Sequence, residues 1–295
     1  MSNTLVYFVP VIDVSWEAFG PLNPAKNYSH TPPVLEECAQ QCTKAITLVK
    51  ELFDGRCAIA VHTGTYCREG FHSDEFLQIW RKSEENGGEI LLHTHEEIAA
   101  RGTRNSDKEH MTRIIMEQYG TLKRAGLNPV GYRGGLYGYA PFLTPLLEKL
   151  DIFIDLSAAP LVDRADRTAH WKDSPFSAYY LNRENTEKPV KTEQSRVLEI
   201  PLGASGLGED NTELMYIDYP KASLESVIKI WDIVLERAKI GGTQYIHTLF
   251  HSFSMDIPSY VQRYKRFVEY SLQHGGQAVT ASQLKHLYDE NMEVE

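Results

Sequence analysis

The sequence predicts an α/β protein, a distorted (β/α) barrel of about seven parallel strands. Three observations carry this. Short apolar runs alternate with longer stretches of helical periodicity along the whole chain, the pattern of parallel strands joined by crossover helices. The first run, Leu5 to Ile12, is apolar throughout, as in a strand buried on both faces. No linker or shift in composition divides the 295 residues, so a single domain over 1–295 is expected, and the number of repeats suits closure better than an open sheet.

The elements follow in order. Asp13 ends the first strand, and a loop rich in Pro, Asn and Gly reaches Pro33. Val34, Leu35, Cys38, Cys42, Ile46, Val49 and Phe53 fall at helical spacing. Cys57 to Val61 reads as the second strand and ends at His62. Ser73 stands as the N-cap of a helix to about Asn86, stopped by Gly87-Gly88. Glu89 to His93 is the third strand. A helix opening at Ser106-Asp107 turns Met111, Ile114, Ile115 and Leu122 inward and closes near Gly126. Pro129 to Arg133 is a short strand, followed by Gly134-Gly135-Leu136-Tyr137 and a helix from Pro141 to Leu150. Ile152 to Asp155 is the fifth strand, Ser157 to Lys191 is irregular, and Arg196 to Pro201 is a strand. Leu224 to Lys239 is helical, and Gln244 to Phe250 is a strand running into His251. A helix from Ser259 to His274 and a strand at Gln277 to Val279 follow. Thr280 and Gln283 form a capping box for the last helix.

Composition narrows the function. The net charge of −10 argues against a nucleic-acid partner, which needs clustered Lys and Arg. No apolar run is long enough to span a membrane, and Met1-Ser2-Asn3-Thr4 has no basic region, so a cytoplasmic protein is expected. The four cysteines do not form a disulfide framework: Cys38 and Cys42 read as a buried helical stripe, Cys57 as a buried strand residue and Cys67 as a loop residue.

Chemistry gathers at the C-terminal ends of the strands. These carry Asp13, His62, His93 with His95, Arg133, Asp155, Glu199 and His251. In a barrel, such ends meet at one face, where catalytic groups sit. His93 and His95, two apart on an extended backbone, point to one side. Two converging imidazoles with Glu96 and Glu97 behind them suit a borderline divalent metal such as zinc. His247 reads as a deeper barrel residue, and His72, His110 and His170 as solvated.

The order of these groups resembles the NodB-homology polysaccharide deacetylases, carbohydrate esterase family four and its relatives. The residues that carry the resemblance are Val11-Ile12-Asp13-Val14, Gly88 to His95, Gly131 to Gly138, Ile152 to Ser157, and Leu249-Phe250-His251. Two departures stand out. The family's first motif commonly has adjacent aspartates, whereas Val14 follows Asp13; and its second metal histidine usually lies four residues after the first, where Glu97 stands here.

The resemblance implies a hydrolase removing an N-acetyl or N-formyl group from an amino-sugar-type substrate. It implies a divalent metal, zinc first with Co, Ni or Mn as alternatives, held by Asp13, His93 and His95, with Glu97 as the alternative to His95. Asp13 would be the general base, Arg133 would orient it, His251 would protonate the leaving amine, and Asp155 would orient a histidine or contact substrate. Substrate contacts would involve Gly134, Gly135, Tyr137, His62 and Glu199. The backbone amides of Gly134-Gly135 would bind an oxyanion, or the pair is simply a turn needing positive φ. Rival readings are another metal-dependent amidohydrolase, and a catalytically silent barrel that binds carbohydrate or a protein; a homo-oligomer is allowed.

Overall fold

A computed structural model describes residues 6–16, 32–65, 67–98, 102–187 and 194–292. The expected Pro-, Asn- and Gly-rich loop before Pro33 lies largely outside them. The principal strands are β1 (Val6–Asp13), β2 (Ala58–His62), β3 (Glu89–Thr94), β4 (Pro129–Gly134), β5 (Ile154–Asp155), β6 (Tyr179–Asn182), β7 (Gln194–Glu199), β8 (Gln244–His251) and β9 (Gly276–Ala278). The principal helices are α1 (Leu35–Phe53), α2 (Asp74–Glu85), α3 (Lys108–Arg124), α4 (Leu143–Lys149), α5 (Leu224–Gly241), α6 (Pro258–Gln273) and α7 (Ala281–Met292).

The strands form one curled sheet in the order β6-β7-β5-β4-β3-β2-β1-β8, with β9 added beside β1. All pairings in it are parallel except β6 with β7. The expected distorted barrel of parallel strands is thus the observed architecture. The antiparallel β6 arises inside the stretch read from sequence as irregular.

Beyond β7 the chain is irregular but stitches the sheet towards β8. Ile200 N donates to Asp155 O, His247 N donates to Pro201 O, and Gly203 N donates back to His247 O. Further on, Met215 N donates to Gly203 O and Leu249 N to Met215 O.

Side chains alternate across the strands. Phe8, Ile12, Ile59, Val61, Ile90 and Leu92 join the cluster that buries the helices. Val9, Val11, Ala58, Ala60, Leu91, Ile154 and Leu198 form a second cluster with Leu284 of α7, which closes the end opposite the C-terminal strand tips. The capping box of α7 is present: Gln283 N donates to Thr280 Oγ1, and Thr280 N donates to Gln283 Oε1. One expected cap differs, and one expected helix start is resolved to a single residue. Ser73 makes no side-chain cap bond, and at α3 it is Asp107 that accepts from His110 N.

Register decides where the strand ends fall. Asp13 lies beside His251, His62 beside His93, and His93 beside Arg133. Tyr132 lies beside Asp155, which lies beside Glu199.

On the helix side, Trp231 of α5 packs edge-on against Phe8 at 5.6 Å and Phe267 at 5.9 Å, and its Nε1 donates to His274 O. Trp231→Ala leaves that volume empty and is expected to cost about 3–5 kcal/mol of unfolding free energy. Denaturant titration of the purified variant checks this.

Candidate active site

Arg133, at the end of β4, is 2% exposed and is the centre of the site. Its Nε donates to both oxygens of Asp13, at 2.7 and 2.9 Å. Its Nη1 donates to Leu156 O at 2.6 Å and to His247 Nε2 at 3.1 Å. His247 Nδ1 donates to Ile200 O at 2.7 Å, which leaves Nε2 as the acceptor. Burial, reinforced by the Arg133 charge, holds the His247 pKa down to about 3, so it stays neutral. Burial alone would raise the Asp13 carboxyl, but Arg133, His93 and His251 outweigh it and hold Asp13 well below the usual carboxylate range.

His93 Nε2 and His251 Nε2 face the same oxygen, Asp13 Oδ2, at 3.7 and 3.9 Å. What stands behind each ring fixes its tautomer. His93 Nδ1 donates to Arg133 O at 3.0 Å, His95 Nδ1 meets Glu97 Oε1 at 2.5 Å, and His251 Nδ1 lies 3.2 Å from Asp218 Oδ2. Asp218 also accepts from His251 N and Ser254 Oγ. The Nε2 atoms of His93 and His95 are 3.0 Å apart. Burial carries the His93 pKa down to about 3; for His95 burial acts in the same sense, but the Glu97 carboxylate outweighs it and the net shift is upward. His95 is therefore the donor and His93 the acceptor.

The side chains of His95 and His251 keep about a tenth of their surface in solvent, 11% and 10%, whereas His93 keeps 1%. The Tyr216 ring lies 5.1 Å from that of His251, with its hydroxyl 3.5 Å from Nε2, and Phe253 packs on the same imidazole at 5.4 Å.

No family model matches the chain, and no curated protein matches it by sequence. Solved structures do match. A Mycobacterium smegmatis protein assigned as a polysaccharide deacetylase has a TM-score of 0.61 at 16% identity, over 98% of this chain and 92% of that one. The allantoinase PuuE has a TM-score of 0.55 at 12% identity, over 96% and 89%. A Pseudomonas aeruginosa PAO1 protein assigned as a polysaccharide deacetylase has a TM-score of 0.54 at 14% identity, over 96% and 90%. The chain has the polysaccharide-deacetylase fold.

Within the deacetylase fold, the structure brings together Asp13, His93, His95, Arg133 and His251. Asp155 and Glu199 stand elsewhere. Both are fully buried; Asp155 Oδ1 accepts from Ser157 Oγ and Glu199 Oε1 from Ala158 N, and among the described residues no histidine bonds to Asp155. Asp218 takes that place behind His251. It lies in the irregular stretch before α5, where no periodicity marks it. His62 is buried beside His95, with ring centroids 5.9 Å apart. His110, expected in solvent, is buried with Nε2 2.5 Å from Glu96 Oε2, and His72 is half-buried.

The turn after β4 also differs from expectation. Gly134 has φ −73°, and the positive φ values fall on Leu136 (55°) and Tyr137 (65°). The glycines are needed for close approach instead. A Cβ on Gly134 would meet Gly138 O at 1.8 Å, and one on Gly135 would meet Thr94 O at 2.5 Å and His95 Nδ1 at 2.7 Å. Gly134 N is already donated to Ser157 Oγ, so it is committed away from an oxyanion. Tyr137 is fixed by its carbonyl accepting from Trp171 Nε1 and its hydroxyl lying 3.4 Å from Asn211 Oδ1.

The expected metal set does not fit. Both Asp13 oxygens accept from Arg133, whose charge opposes a second cation there. Glu97 sits behind His95 at Nδ1, away from Nε2. Among the described residues, no group of three or more His, Cys, Asp or Glu side chains is arranged to hold a metal ion.

Two outcomes test this geometry. Gly135→Ala should displace His95: its Nδ1 proton resonance shifts or broadens, and stability falls by about 1–3 kcal/mol. Gly241→Ala, where a Cβ meets nothing within 4 Å, should do neither. A carboxyl whose folded-state pKa is depressed stabilises above its unfolded value and loses that contribution as pH falls. The stability gap between the parent and Asp13→Asn should therefore be constant at neutral pH and narrow below the ordinary value of 3.8. Denaturant midpoints measured across that range check it.

Proposed function

We propose that the protein hydrolyses an N-acyl amide, releasing a carboxylic acid and an amine, with N-acetyl or N-formyl amino sugars as the substrate class. One observation carries this: a carboxylate locked by a buried arginine faces His93 and His251, with His251 backed by Asp218 and with His95, backed by Glu97, against His93. The deacetylase fold supports the amino-sugar class, since the site sits at the C-terminal strand ends where barrels of this type act.

The roles follow from the geometry. Asp13, both of whose oxygens accept from Arg133 and whose carboxyl is held below the usual range, acts as a fixed anion. His251 Nε2 takes a proton from water as the water oxygen adds to the acyl carbon. Asp13 Oδ2, 3.9 Å away, favours the imidazolium so formed, and Asp218 holds the ring. The same proton then passes to the leaving nitrogen as the C–N bond breaks. His95, with its pKa raised by Glu97, supplies positive charge on the side where the acyl oxygen becomes an oxyanion.

The test is a panel of N-acetylated and N-formylated amino sugars, with allantoin included, assayed for product. Acid release is expected from at least one amino sugar. His251→Ala should lower kcat by about 10²–10⁴-fold, and Asp218→Asn by up to about 10⁴-fold, with folding retained by circular dichroism. Activity should persist after dialysis against a chelator. Binding of the same sugars with no acid released would favour the catalytically silent barrel.

A further inference from the structure

Asp155 and Glu199 are ionisable, fully buried and unused by the chemistry above. They are neighbours in register on β5 and β7. Their strand face is the one carrying Tyr132, opposite to Ile154 and Leu198 of the interior cluster. Each carboxyl has one oxygen satisfied: Asp155 Oδ1 by the Ser157 hydroxyl at 2.7 Å, Glu199 Oε1 by Ala158 N at 3.0 Å. Among the described residues, Asp155 Oδ2 and Glu199 Oε2 have no donor. Two buried acceptor oxygens side by side are costly unless a proton lies between them.

We propose that the two carboxyls share one proton between Oδ2 and Oε2, carried by Glu199, and that this pair is a positioning device for the turn after β4. The link runs through Ser157. Its hydroxyl donates to Asp155 Oδ1 and its oxygen accepts from Gly134 N at 2.8 Å. Gly134 precedes Gly135, which lies flat on His95. A negative Asp155 is the stronger acceptor for Ser157, and a neutral Glu199 spares the core a second charge. Burial and then the Asp155 charge raise the Glu199 pKa well above its usual range, while burial carries Asp155 to about 6, in the same sense.

The test uses the full chain and reads no activity, so it stands apart from the proposed reaction. Infrared spectra at neutral pH should show a protonated-carboxyl C=O band, sensitive to D2O, that is absent from Glu199→Gln. In that variant a carboxamide N–H donates to Asp155 Oδ2, so the melting temperature and the His95 Nδ1 proton resonance should stay near the parent values. Glu199→Ala strips the donor; its melting temperature should fall by on the order of 5 °C or more, and the His95 resonance should move. No such band in the parent, or Glu199→Gln destabilised as much as Glu199→Ala, overturns the shared proton. An unmoved His95 resonance in folded Glu199→Ala overturns the positioning role.

Discussion

A guanidinium taken out of water is tolerable only when its donors are met, and the Arg133 side chain sets that condition for everything around it. Asp13 supplies the countercharge, Leu156 O and His247 Nε2 the remaining acceptors named above. His247 can accept only while neutral and only with its other nitrogen donating, which requires Ile200 O close by. That carbonyl belongs to the irregular segment that stitches β7 towards β8. Sheet closure and the orientation of Asp13 therefore rest on one cluster of contacts. Removing either charge would leave the other buried without compensation, a loss far larger than the net worth of the pair.

The imidazoles at the site are chemically distinct because of what lies behind each ring. A backbone carbonyl behind His93 fixes its tautomer without adding charge, and burial keeps it neutral. A carboxylate behind His95 raises its affinity for a proton. Asp218 behind His251 orients that ring, with Nε2 left towards Asp13. One residue type thus occupies three different electrostatic settings within a few ångströms, with no change in fold.

Most of the fold was legible because continuous apolar runs and helical periodicity are strong signals wherever an element is long. The β1, β3, α1 and α5 ranges agree with expectation to within a residue or two. The site was legible where a polar residue ends a well-defined strand: Asp13, His93, Arg133 and His251 were all placed that way. Asp218 was not, since it follows no strand and its partner His251 lies 33 residues away. His110 was misplaced because its carboxylate, Glu96, lies on a different element and nothing in a helix pattern announces a cross-element pair. The ligand set implied by the resemblance needs directions that residue order does not carry: Glu97 lies at His95 Nδ1, and both Asp13 oxygens are met by Arg133.

Strand-end position, then, is an incomplete guide, because it does not say which face of the sheet a residue joins. The register settles this. Asp13 shares a face with His251 and with Ala60, hence with His62, and through His62 with His93 and Arg133. Tyr132, one residue before Arg133, must point the other way, and it carries Asp155 and Glu199 with it. A strand as short as Ile154–Asp155 has no alternation to read, so its face is fixed only by its neighbour. One set of polar strand ends lines the barrel mouth and can do chemistry. The other is sealed behind the sheet, where a carboxyl can serve only by holding its neighbours in place.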